Sequence, residues 1–219
     1  MGKLSVSILS ADLAHLADQV KLVEPYADAI HIDVMDGHFA PPITFGPVLV
    51  ASLRPCTPLV LHGHLMIEMP ESQFEELAQA GMDIVSFHIE AVEDPAPVIR
   101  KARGAGMRVG MTVSPPTPVE SLFPYLEELD DVMVMSVYPG WAGQRFMPEA
   151  LPKLEAVRAE LDRRGLQADV QIDGGVKLDN ARRCIEAGAN VLIAASAIYQ
   201  APDPAAVARE LKAIAEGRA

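Results

Sequence analysis

The 219-residue sequence predicts an α/β fold, a single (β/α)8 barrel, on three observations. Strand-like apolar runs alternate with helix-like amphipathic runs eight times, no shift in composition marks a linker, and several helix-like runs end on a glycine that leads into the next strand. The competing architecture, an open doubly wound sheet, usually carries Gly-x-Gly-x-x-Gly at its first turn, and none follows the first strand here. A chain of this length suits one barrel, so residues 1–219 are expected to form a single domain.

Leu4 to Leu9 reads as the first strand, with Ser10, Ala11 and Asp12 as candidate caps for an amphipathic stretch through Glu24. The alternation continues with strands at 29–34, 59–66 and 83–88, each followed by a helix, at 47–53, 71–80 and 95–105. It is completed by strands at 108–113, 132–137, 168–173 and 191–195 and helices at 119–129, 148–164, 178–187 and 204–215. Gly81, Gly106 and Gly188 stand where left-handed helix C-caps are expected.

Composition narrows the partners. A formal net charge of −12 argues against nucleic acid and against an anionic membrane surface. An anionic small molecule would have to be held locally, by backbone amides, helix N-termini or a metal. Cys56 and Cys184 have neither metal-ligand spacing nor a disulfide framework and read as packed thiols in a reducing cytoplasm. The first residues carry no leader pattern, Val6 stands where a myristoylation signal starting Met1-Gly2 needs Ser or Thr, and no apolar run approaches about 18 residues. A cytoplasmic protein is expected.

The chemistry concentrates at His31-Ile32-Asp33-Val34-Met35-Asp36-Gly37. In a strand, alternate side chains share a face, so His31, Asp33 and Met35 point one way and Ile32 and Val34 the other. Asp36-Gly37 then ends the strand, which leaves an imidazole beside a carboxylate at its C-terminal end, where barrels of this kind do their chemistry. His64 near the end of strand three and Asp173 at the end of strand seven join them. Two imidazoles and two carboxylates can be buried hydrogen-bonders or a ligand set for Zn²⁺, Fe²⁺, Mn²⁺ or Co²⁺. Asp33 and Asp173 would face each other across the mouth, an arrangement that could invert a substrate carbon by removing its proton on one face and returning one on the other.

Three loops carry a second signal: Pro139-Gly140-Trp141-Ala142-Gly143-Gln144 after strand six, Gly174-Gly175 after strand seven, and Ala195-Ser196 after strand eight. Small residues there either make tight turns or let backbone N–H groups approach a phosphate. Other polar residues read more plainly. His88 and His38 are as readily structural hydrogen-bonders as substrate contacts, His15 is a surface residue, and the run Glu127-Glu128 with Asp130-Asp131 reads as a solvated helix end.

The chain resembles the ribulose-phosphate 3-epimerase family along nearly its whole length. The resemblance is carried by Ser7-Ile8-Leu9-Ser10-Ala11-Asp12, the stretch from His31 to Phe39, His64-Leu65-Met66, Met135-Ser136-Val137, Pro139-Gly140 with Gly143-Gln144, and Asp173-Gly174-Gly175. It implies one divalent metal held by His31, Asp33, His64 and Asp173, with Asp33 and Asp173 as the acid/base pair. It implies substrate contacts at Ser10, an apolar collar of Met35, Met66 and Met135, and a phosphate grip from Gly140, Trp141, Ala142, Gly143, Gly174, Gly175, Ala195 and Ser196. The implied reaction is epimerisation at carbon 3 of a phosphorylated ketose, D-ribulose 5-phosphate to D-xylulose 5-phosphate, by a homo-oligomer.

The sequence departs from the family pattern at His62-Gly63, Ser114-Pro115-Pro116, Tyr138, Trp141-Ala142 and Ala195. His62 could support the site, compete as a ligand or pack deeper in the barrel. These departures keep open a different ketose phosphate, such as allulose 6-phosphate or a four-carbon ketose phosphate. A non-catalytic sugar-phosphate-binding barrel would be expected to lack one of the four ligands, and the phosphate-sugar decarboxylases carry Asp-x-Lys where this chain has His31-x-Asp33.

Overall fold

The computed structural model describes residues 2–218, so of the expected domain only Met1 and Ala219 lie outside the described residues. Eight parallel strands close into a barrel in sequence order: β1 (Lys3–Ser7), β2 (Ala29–Met35), β3 (Val60–Met66), β4 (Ile84–His88), β5 (Arg108–Val113), β6 (Asp131–Met135), β7 (Asp169–Asp173) and β8 (Val191–Ala194). The helices are α1 (Leu16–Val23), α2 (Pro47–Leu53), α3 (Phe74–Gln79), α4 (Pro95–Gly104), α5 (Ala150–Arg164), α6 (Leu178–Glu186), α7 (Ser196–Tyr199) and α8 (Pro204–Ala215). The predicted glycine caps hold, with φ of 95° at Gly81, 89° at Gly106 and 108° at Gly188.

Two expected helices differ. The run at 119–129 is a 3-10 helix, Val119–Glu128, with Pro124 inside it. Proline has no N–H to donate and clashes with the preceding turn, so an α-helix is unfavourable there. The first helix is preceded by a separate 3-10 turn, Leu13–His15, capped by Asp12. The four-residue α7 after β8 has too short a pattern to be read from the sequence.

The two faces of the barrel differ sharply. On the outer face Leu4, Val6, Ile30, Ile32, Leu61, Leu65, Val85, Phe87, Val132, Val134, Val170 and Ile172 are buried with the apolar faces of the helices in one continuous core. The lumen-facing positions are largely polar: Ser5 and Ser7, His31 and Asp33, His62 and His64, Ser86 and His88, Thr112, Asp131 and Gln171, all buried. The period of two therefore separates a hydrophobic coat from a polar lumen. Gly63 belongs to the coat, where a Cβ would lie 2.8 Å from Met82 Cε, so the Met82 side chain takes the space left by the missing one.

Asp131 corrects the reading of its acidic run. Glu127 and Glu128 are exposed, but Asp131 is 2% exposed and points into the lumen, where its Oδ1 accepts a 2.8 Å hydrogen bond from Ser86 Oγ. Burial pushes its carboxyl up to about 7; the Ser86 hydrogen bond opposes this and the charges of Asp169 and Asp130 add to it. A group whose folded pKa is raised makes its full contribution to stability below the unfolded value near 3.8, and loses it as pH rises towards 7. Asp131→Asn should therefore gain stability relative to the parent between pH 5 and pH 8, as measured by urea denaturation at the two pH values. An unchanged difference would mean that Asp131 is ionised in the folded barrel at pH 5.

Candidate active site and metal centre

The end of β2 is shaped by its own loop. Thr44 Oγ1 accepts from Met35 N at 2.9 Å and donates to the Asp33 carbonyl, and Asp36 Oδ1 accepts from the N–H groups of His38 and Phe39 around Gly37 at φ 77°. Asp36 Oδ2 also accepts from Glu68 N at 2.8 Å, tying this loop to the one after β3. The strand ends are thus fixed before any ligand is considered.

In that frame β2 presents His31 and Asp33, β3 His64 and β7 Asp173, and one donor atom from each lies within 4.8 Å of the others. His31 Nε2 is 3.3 Å from His64 Nδ1, 3.4 Å from Asp33 Oδ1 and 3.8 Å from Asp173 Oδ2. His64 Nδ1 is 3.5 Å from Asp33 Oδ1 and 3.4 Å from Asp173 Oδ2. Four ligands about 2.1 Å from a tetrahedral ion stand about 3.4 Å apart, so these separations fit a small divalent cation with mixed nitrogen and oxygen donors. Asp33 also accepts from Ser7 Oγ at 2.6 Å through its other oxygen, which leaves Oδ1 aimed at the cluster.

Charge is balanced within the cluster. Burial opposes ionisation of Asp33, yet the His31 charge and hydrogen bonds from His31 and His64 outweigh it and hold the carboxyl far below the usual range. Burial likewise opposes a charged His64, but Asp173 and Asp33 carry its pKa up to about 9. Behind it, His64 Nε2 lies 2.9 Å from His88 Nε2, and His88 Nδ1 lies 3.1 Å from Glu90 Oε2.

A mouth opens above the cluster. It is lined by Asp33, Asp173, the predicted Met35, Met66 and Met135, and all the residues of the expected phosphate grip: Gly140, Trp141, Ala142, Gly143, Gly174, Gly175, Ala195 and Ser196. His31 and His64 are fully buried beneath it. Gly175 has φ 61°, and a Cβ there would meet the Phe146 N and Gln144 O backbone atoms at 2.7 and 2.8 Å, so two loops pack closely across it. Gln144 Nε2 donates to the carbonyls of Tyr138 and Trp141 and holds the loop after β6 in shape.

Ser10 is not among the residues lining this mouth; Ser7, on the lumen face of β1, is, together with Leu9, Val137, Tyr138 and Ile193. The alternation that singles out His31 and Asp33 also turns Ser7 inward, so its signal is present in the sequence. His62 packs deeper: its Nε2 is 2.7 Å from Ser86 Oγ, and its ring stands edge-on to His31 with centroids 5.1 Å apart. Burial, with the neighbouring His31 and His64 charges, keeps it neutral. His88 is a buried hydrogen-bonder, His38 bonds within its own loop, and His15 pairs with Asp12 at the surface.

Fold and site together define a (β/α)8-barrel enzyme with a candidate metal centre at its strand ends. Residues 3–199 match the ribulose-phosphate 3 epimerase family. The ribulose-phosphate 3-epimerase of Synechocystis sp. is 45% identical over 200 residues, covering 90% of this chain and 87% of its own. That of Bacillus subtilis is 44% identical over 205 residues, covering 93% and 94%. Among solved structures, 3-hexulose-6-phosphate synthase from Salmonella typhimurium superposes with a TM-score of 0.74 over 99% of this chain and 100% of its own; at 20% identity that likeness concerns the fold. The chain belongs to the ribulose-phosphate 3 epimerase family and is an isomerase. Among the described residues, no helix is long and apolar enough to cross a membrane.

Because His64 must lose its proton before Nδ1 can coordinate, metal binding should release a proton below about pH 9. The affinity for Co²⁺, read from its visible absorption, should weaken up to about tenfold per unit as pH falls from 8 to 6. Affinity independent of pH would mean that His64 carries no proton to displace in the metal-free protein.

Proposed function

We propose that this chain interconverts D-ribulose 5-phosphate and D-xylulose 5-phosphate by inversion at carbon 3, with residues 1–219 as one catalytic barrel acting in the cytoplasm as a homo-oligomer. The observation that carries the reading is the convergence of Asp33 and Asp173 on one cluster with His31 and His64 beneath a glycine-lined mouth. Names of relatives at about 45% identity over most of the chain support the same reaction.

In this reading the glycine loops and the start of α7 hold the phosphate through backbone N–H groups, and the ketose extends down to the cluster. One of the pair, as the carboxylate, removes the carbon-3 proton to give an enediolate, and the other, as the carboxylic acid, gives its proton to the opposite face, so that the two exchange protonation states in each turnover. Ser7 keeps the reacting oxygen of Asp33 directed inward through its 2.6 Å hydrogen bond. Met35, Met66 and Met135 are each buried to within 3% and give an apolar collar that keeps water from the reacting carbon. His31, Asp33, His64 and Asp173 would hold the divalent ion, for which Zn²⁺, Fe²⁺, Mn²⁺ and Co²⁺ all suit the donor set. When bound, it supplies Lewis-acid stabilisation of the charge that develops on the substrate oxygens.

The departures from the family pattern fall in two groups. His62, Gly63 and Ser114 lie away from the mouth, whereas Tyr138, Trp141, Ala142 and Ala195 line it. Tyr138 and Trp141 are 55% and 67% exposed, at the rim, where they bear on the phosphate end and leave the reacting carbons unchanged.

Proton NMR of D-ribulose 5-phosphate in D₂O with metal-replete enzyme should show loss of the carbon-3 proton signal together with growth of xylulose 5-phosphate. Asp33→Asn and Asp173→Asn should each lower turnover by about 10²–10⁴-fold. Near-normal turnover in either variant would overturn the two-carboxylate scheme. Exchange seen only with another ketose phosphate would shift the substrate and keep the chemistry.

A further inference from the structure

Behind His64 the structure carries a buried chain that the reaction itself does not use. His64 Nε2 and His88 Nε2 are 2.9 Å apart, with the ring planes within 19° of each other and their centroids 5.1 Å apart. His88 Nδ1 lies 3.1 Å from Glu90 Oε2, and Glu90 Oε1 accepts from Ser114 N at 2.8 Å. Phe39 packs on His88 with centroids 4.7 Å apart, and both histidines are fully buried, so the middle ring cannot swing away.

Each link fixes the position of the next proton. A carboxylate oxygen only accepts, so Glu90 requires the His88 proton on Nδ1. That leaves His88 Nε2 bare, and a bare nitrogen 2.9 Å away requires the His64 proton on Nε2. The proton that a divalent ion displaces from His64 is then the one on Nδ1, which faces Asp33 and Asp173, and that nitrogen turns its lone pair to the cluster. The other end of Glu90 is equally constrained, because the Ser114 N–H needs an acceptor. Lys153 in turn fixes the loop that presents this N–H, donating to the carbonyls of Ser114, Pro115 and Thr117 at 3.1, 2.7 and 2.6 Å.

We propose that Glu90, acting through His88, is a positioning residue that sets the tautomer of His64 and so makes Nδ1 the metal-binding nitrogen. The proposal rests on the reading that the four-residue cluster holds a divalent ion. Glu90→Gln is nearly isosteric, yet its amide can satisfy only one of its two partners. With its oxygen on Ser114 N–H, its NH₂ faces His88 Nδ1, drives the proton to His88 Nε2 and hence the His64 proton to Nδ1, where it blocks the ligand. With the amide reversed, two donors face each other at Ser114.

The test is Co²⁺ binding, measured by visible absorption against a competing chelator, in the parent, Glu90→Gln, His88→Gln and the double variant. Loss of an outer partner of a metal-ligating histidine typically weakens binding about 10–100-fold, and Glu90→Gln should fall in that range. In the His88→Gln background the same change should have little effect, because the amide oxygen introduced there can accept from His64 Nε2–H whatever stands at position 90. An equal loss in both backgrounds would mean that Glu90 acts only by its charge, and would overturn the relay. Nitrogen-15 NMR of the Zn²⁺-loaded parent supplies a readout that needs no variant: His88 should carry its proton on Nδ1, and a proton on Nε2 would also overturn the proposal. If the parent binds no Co²⁺, or if His64→Ala binds it as well as the parent does, the metal reading itself fails, an outcome distinct from failure of the relay.

Discussion

Two carboxylates brought to one buried spot repel each other and lose their hydration, so a structure that holds Asp33 beside Asp173 must supply positive charge between them. His64 does this, its Nδ1 3.4–3.5 Å from the carboxylate oxygens, and His31 Nε2 stands beside it 3.4–3.8 Å from the same two side chains. Most other features of the lumen serve that neutralisation. Ser7 takes the second oxygen of Asp33, and His88 with Glu90 backs His64. His62 stays neutral beneath, so it adds no competing charge. A proton on His64 and a divalent ion are alternative ways to meet the same electrostatic demand, which is why one cluster can be stable by itself and still bind a cation.

The fold and the four-residue cluster are legible because both follow from periodicity. An eightfold alternation of strand and helix with glycine caps specifies a closed ring, and a period of two within β2 and β3 assigns His31, Asp33 and His64 to one side. The same period selects Ser7, but a capping pattern at Ser10-Ala11-Asp12 and family likeness point to Ser10 instead. Asp131 escapes such a reading because a run of four acids separated by one leucine looks solvated, and nothing local reveals that β6 begins inside it. The Glu90 chain is unreadable for another reason: it depends on which nitrogen of each ring faces its neighbour, and sequence does not encode ring orientation.

The departures from the family pattern become intelligible once their faces are known. Gly63 lies in the coat, where Met82 fills its space, and His62 lies in the lumen, where Ser86 satisfies it. These two neighbouring changes therefore act on opposite sides of one strand. Ser114 contributes a backbone N–H to Glu90, and its Oγ lies 3.2 Å from His88 Nδ1. The changes that can touch substrate, at Tyr138, Trp141, Ala142 and Ala195, sit at the phosphate end of the mouth.

The ring is closed by β1 against β8, which pairs Lys3 with Val191 and Val6 with Ala194. Inside the seam Lys3 and Ser5 of β1 stand beside the buried Val191 and Ile193 of β8, and outside it α8 packs on both strands. Lys212 of α8 pins the seam further by donating to Gly2 O and to both oxygens of Asp28. The contacts that complete the barrel thus join its first residues to almost its last ones, at the largest loop-closure cost the chain can incur. During synthesis the ring cannot close until β8 has emerged, so a nascent chain paused before residue 191 holds β1 as an open sheet edge.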